Sequence, residues 1–118
     1  MSEMKMYILV LDDIPLGEAM VAVAHASLAG YLAFKNTPEV AQWLSGPFRK
    51  VVCVVNAKEF ANARAVDGNV ILTESSLANR EVAVAFKPRV EWPRMFKFLR
   101  LYRHEPVGVT RGTNRERG

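Results

Sequence analysis

Residues 5–34 read KMYILVLDDIPLGEAMVAVAHASLAGYLAF, and the fold class turns on them. Residues 7–11 are near-continuously apolar, the pattern of a strand covered on both faces. Asp12 and Asp13 stand where they can cap the next helix, and Pro15 sets a bend. Residues 17–34 read as a helix. Met20, Val23, Ala24, Ser27, Leu28, Tyr31 and Leu32 recur at helical spacing and form its expected buried stripe. A strand that turns through glycine into a long small-residue helix places that helix's first turn at the end of a sheet. Open α/β sheets tend to carry their ligand sites there. The polar residue of that first turn is Glu18.

Beyond this stretch, Thr37 and Pro38 open a second helix over 38–44, with Thr as N-cap and Pro at the first helical position. Val40, Trp43 and Leu44 face inward, and Ser45-Gly46-Pro47 ends it. Residues 50–55 are uniformly apolar and β-branched around Cys53, a second buried strand. Asn56 and Glu59 have capping-box spacing for a third helix over 57–66. Asp67-Gly68-Asn69 breaks the chain before a strand over 70–73. A polar turn over 74–80 leads to a fourth strand over 81–86. Pro93 opens a fourth helix over 93–101, on which Arg94, Lys97 and Arg100 make a basic stripe at spacing three.

The order is β-α-α-β-α-β-β-α. It predicts an α/β single domain over 1–104, a four-stranded mixed sheet with helices on both faces, and a flexible basic tail over 105–118. Two strand-helix-strand crossovers call for parallel pairing, and the short link before the fourth strand calls for an antiparallel pair.

At 118 residues the chain holds one core. Net charge is +4, from 16 Lys and Arg against 12 Asp and Glu, and the excess gathers from Lys87 onward. Such a surface attracts polyanions by counterion release, or simply keeps the chain solvated. The one cysteine, Cys53, reads as a buried thiol and fits a reducing, cytoplasmic setting. No apolar stretch reads as long enough to span a bilayer. There is no Gly-x-Ser-x-Gly, no phosphate loop and no metal-ligand spacing, since His25 and His104 are the only histidines. No metal or cofactor is expected.

Two carboxylates draw the eye instead. Glu18 starts the first helix and Glu74 ends the third strand. If the first and third strands are neighbours, both reach one rim, where two carboxylates can divide acid and base work. The plainer reading places Glu18 at the positive end of a helix dipole and Glu74 in a polar turn. Ser75, Ser76, Asn79 and Arg80 in the same turn are donors for an anion or phosphate. A lone helical histidine such as His25 reads first as a hydrogen-bonded packing residue.

The stretch KMYILVL, the Leu16-Gly17 bend and Ala24-His25-Ala26 together resemble the opening of type-II peptidyl-tRNA hydrolases. Trp43-Leu44, Lys50-Val51-Val52, the start of the third helix and the closing strand–Pro88–helix continue the resemblance, over residues 5–102. It implies an α/β domain, commonly a homodimer, that hydrolyses the ester between peptide and tRNA without a metal or cofactor. In that family a lysine in the first turn of helix one acts with an aspartate and threonine hydroxyls near the third and fourth strands. Here the lysine position falls on Glu18, a glutamine position on Ala22, the aspartate position on Glu74, and a threonine position near Arg80. A carboxylate cannot orient a phosphate or stabilise an oxyanion as an ammonium does.

The reading is therefore a divergent member of altered chemistry. It would keep a cleft near Glu18, His25, Glu74 and Arg80 that binds RNA or a small ligand, with Arg94, Lys97 and Arg100 as RNA contacts. The alternatives are an active ester hydrolase, with Glu74 as base and Arg80 as oxyanion donor, and a dimerisation module using the apolar faces of the first two helices.

Overall fold

The computed structural model describes residues 3–103; the tail expected over 105–118 lies outside them. β1 (Lys5–Leu11) sends Met6, Ile8 and Val10 into one core and Leu9 and Leu11 into the other. Both sets are buried, which is why the run lacks polar alternation. β1 pairs in parallel with β2 (Arg49–Val55) along its whole length. On its other side it pairs antiparallel with β4 (Arg80–Phe86), which pairs antiparallel with β3 (Asn69–Glu74).

The sheet has five strands, in the order β3-β4-β1-β2-β5, not the expected four. β5 (Arg100–Leu101) runs antiparallel to β2 and replaces the end of the expected fourth helix. What remains of that helix is a five-residue 3₁₀ turn, Arg94–Phe98, ended by extended backbone at Leu99. A run this short cannot carry the cost of nucleating an α-helix. The outer edge of β2, meanwhile, presents backbone groups that need partners. Tyr102 N–H donates to the Val52 carbonyl at 2.8 Å just beyond β5. The crossover expectation is corrected too. β1 and β2 are the one parallel neighbour pair, because β1 and β4 stand between β2 and β3.

α1 (Leu16–Phe34) lies over β3 and β4 and part of β1. Its buried residues are Ala19, Ala22, Ala26 and Gly30. The expected stripe is turned away by roughly a third of a turn at 100° per residue. Met20 is 65% exposed, Leu28 58% and Leu32 52%. The cause is layer spacing. A Cβ on Gly30 would sit 3.0 Å from Met6 Cε and 3.4 Å from Ala85 Cβ, so the line of closest approach takes only small residues, while Val23, Tyr31 and Phe34 pack beside it. α1 is apolar nearly all round, so periodicity alone could not choose its inner face. By length and composition α1 is also long and apolar enough to cross a bilayer, contrary to the sequence reading.

The local signals fared better. α2 (Pro38–Ser45) is capped by Thr37, whose hydroxyl accepts from Val40 N–H at 3.3 Å. α3 (Ala57–Arg64) has its capping box, with Glu59 N–H on Asn56 Oδ1 at 2.8 Å and Asn56 N–H on Glu59 Oε1 at 2.9 Å. α3 and the 3₁₀ turn cover the second face of the sheet with Phe60 and Phe96. There Phe96 meets Tyr7, Phe86 and Trp92 at centroid distances of 4.9, 5.2 and 4.9 Å. Asp12 and Asp13 do not cap α1; its N-cap is Pro15, with no side-chain bond.

Candidate functional site

At the C-terminal ends of β1 and β3 the structure brings several of the expected site residues to one rim. β4 separates these two strands, so they are not neighbours as expected; at about 4.8 Å per strand their axes are about 10 Å apart. They run the same way, so Glu74 and the start of α1 still lie at one end of the sheet.

Glu74 is the best-anchored group there and the one buried charged residue among those described. The chain leaves β3 through a 3₁₀ turn, Ser75–Leu77, and returns through left-handed backbone at Ala78 and Asn79. Asn79 N–H closes the turn on the Glu74 carbonyl at 3.0 Å. Ser76 donates twice to Glu74 Oε2, from its N–H at 3.1 Å and its hydroxyl at 2.9 Å. These bonds, the backbone one foremost, hold the Glu74 carboxyl below its ordinary range despite some desolvation. The charge of His25, carried on α1, lowers it further. His25 is exposed on α1 rather than packed in the core.

Arg80 opposes Glu74 in the β3–β4 register. Its Nη2 donates to Asp13 at 2.7 and 2.8 Å, to Oδ1 and Oδ2. Glu18 is half-buried on α1 seven residues before His25, which puts both on one helix face about 10 Å apart. Ser75 and Asn79 are exposed. The rim therefore gathers Asp13, Glu18 and Glu74 against one guanidinium and one imidazole. The four hollows that stand out among the described residues are lined by other side chains. Glu18, His25, Glu74 and Arg80, where a cleft was expected, line none of these four hollows.

The expected basic stripe is divided. Arg94 and Lys97 stay together, because residues three apart eclipse in a 3₁₀ turn. Arg100 sits on β5 and faces Glu59 at 3.8 Å. Cys53 is no nucleophile: burial, foremost, pushes its thiol up to about 11, so it stays protonated near neutrality.

The opposite end of the sheet holds residues that the sequence reading passed over. Lys5 on β1 lies level with Arg49 on β2 and is bridged to Arg89, just past β4. Lys5 sits over the Tyr7 ring at 5.4 Å, Lys50 over Phe48 at 4.8 Å and Trp43 at 5.2 Å, and Arg89 over Trp92 at 5.2 Å. In the adjoining turn Arg94 sits over Phe98 at 5.7 Å. For Lys5-x-Tyr7 the legible signal was spacing, since residues two apart share one face of a strand. Compared with known protein families and with curated proteins, the chain matches no family model and no curated protein.

Proposed function

We propose that this chain is an RNA-binding α/β domain, divergent from the type-II peptidyl-tRNA hydrolases it resembles, that does not cleave the peptidyl ester. The observation that carries the reading is the state of the rim. A hydrolytic site there needs a free cation for the oxyanion and a base whose pKa lies near the working pH. Asp13 already engages Arg80, and the Ser76 bonds hold Glu74 as a weak base. Glu18 adds a further carboxylate where a phosphate would have to approach. Affinity for RNA then rests on cations outside the rim, Arg94 and Lys97 among them, acting through counterion release.

The test is a pair of assays on the full chain. With a peptidyl-tRNA analogue, release of the peptide stays at the uncatalysed rate. With deacylated tRNA, binding weakens steeply between 50 and 200 mM salt, and Arg94→Ala with Lys97→Ala weakens it further. Turnover that Glu74→Gln abolishes would overturn the proposal, as would tRNA binding too weak to measure at 50 mM salt.

A second reading, pairing of two copies, rests on a separate observation. Leu16, Met20, Leu28 and Leu32 recur every four residues (with one position skipped) along the outer side of α1 and are exposed. Sedimentation of the wild type against Met20→Lys with Leu28→Lys tests it: a dimer that the substitutions dissolve supports it, and a wild-type monomer removes it.

A further inference from the structure

The sheet is polarised along its strands. Carboxylates dominate the rim at the C-terminal ends of β1 and β3. Cations seated on aromatic rings gather where β1 and β2 begin and β4 has just ended. Glu3 engages Arg49, and Glu39 lies 3.6 Å from Lys87. Lys5, Lys50 and Arg89 meet rings, and among the described residues none of the three is paired with a carboxylate.

Two details make this end more than a solvated surface. The first is a hollow of about 360 Å³ lined by Lys5, Tyr7, Trp92, Phe96 and Lys97 among others, with Glu3, the partner of Arg49, at its border. It lies at the small end of ligand-sized clefts, about 300–1,000 Å³. Two ammonium groups flank aromatic walls there. The second is Phe48. Its φ is +35°, a left-handed backbone that bulky residues avoid, and the residue is 49% exposed. The chain thus holds an aromatic ring out to solvent, edge-on to Trp43 at 6.1 Å, in a backbone state that glycine would adopt more easily.

Rings paired with cations suit one kind of polyanion above others. A single strand of nucleic acid offers unstacked bases to rings and phosphates to cations. A duplex keeps its bases stacked, and an acidic peptide has nothing to lay on a ring at each charge. We infer that single-stranded RNA wraps this end of the sheet from face to face: one base at the Tyr7–Trp92 hollow, on the ring-filled face with Lys5, Arg89 and Lys97 for phosphates, and another on Phe48 beside Lys50, on the face that α1 covers. This rests on the RNA-binding reading above and gives it a location and a strand state. The site lies at the far end of the sheet from the rim that the family resemblance singles out.

The probe is a fluorescein-labelled twelve-nucleotide oligo-uridylate, titrated with the full chain at 50 and 150 mM salt and read by anisotropy. Lys5→Ala with Arg89→Ala should weaken binding at least tenfold and flatten the salt dependence. Phe48→Ala keeps the cations and should weaken binding about fivefold or more, by loss of stacking. Lys58→Ala and Arg64→Ala, on α3, should leave it unchanged. A hairpin duplex of equal charge should bind at least tenfold less tightly. Binding of oligo-uridylate that is lost with the α3 variants and kept by the strand-start variants would overturn the location while RNA binding stands. Equal affinity for the duplex or for polyglutamate would overturn the single-strand assignment. Binding of tRNA without binding of oligo-uridylate would also sink this inference and spare the broader reading. No binding of either RNA would end both.

Discussion

The two faces of the sheet solve the same problem with opposite materials. On one, α1 meets the sheet through Ala19, Ala22, Ala26 and Gly30, with Val23, Tyr31 and Phe34 partly buried beside them. On the other, short elements leave a gap that Tyr7, Phe60, Phe86, Trp92 and Phe96 fill, with four rings in mutual edge contact. Apolar content alone therefore does not say how a face is packed. A close layer is intolerant of added volume, and a ring-filled layer is intolerant of lost volume.

Stability measurements put this contrast at risk. The greatest loss belongs to the aromatic face. Phe86→Ala removes a fully buried ring and should cost about 3–5 kcal/mol in urea unfolding. A loss under about 1 kcal/mol would mean that the rings are not a packed core. On the close face the sign of volume reverses. Gly30→Val should cost about 2 kcal/mol by pressing on Met6 and Ala85. Gly30→Ala should be near neutral, since about 1 kcal/mol of helix propensity offsets the crowding. If valine is as harmless as alanine, the layer is looser than described. On the outside of α1, Leu28→Gln should change stability by no more than about 0.5 kcal/mol. A loss of several kcal/mol would restore the stripe that periodicity suggested.

The weakest effect is a pH dependence at the polar edge of the α1 face. The folded-state pKa of Glu74 lies below its ordinary value of 4.5. Between those two values the unfolded chain binds more protons than the folded one, so stability rises with pH there. The contribution of Glu74 is complete above about 4.5 and is lost as pH falls through the folded pKa. Ser76→Ala removes the hydroxyl bond, so the side-chain carboxyl resonance of Glu74 should titrate at higher pH and the acid limb of the stability curve should flatten. An unmoved titration would mean that the backbone N–H alone holds the carboxylate.

How far the sequence could be read depends on the range of the interactions. The Thr37 cap and the Asn56–Glu59 box were legible because both partners lie within four residues. β1 was legible because its uninterrupted apolar run has few other uses. The convergence of Glu74 and Arg80 at one rim was half legible. Both flank one turn, yet the pairing of Arg80 with Asp13 joins residues 67 apart and depends on β4 lying beside β1. The role of Asp13 as an ion-pair partner, rather than a helix cap, was out of reach for the same reason.

Local sequence was enough for the α/β class and for the positions of the three α-helices and four of the strands. Each rests on neighbours a few residues away, where sterics and hydrogen bonding act directly along the chain. Packing in three dimensions chose which side of α1 meets the sheet, whether 93–101 would coil or pair with β2, and which cations would share an end. Those outcomes depend on the distance between layers and on unsatisfied edges built by distant residues, and no local pattern encodes either.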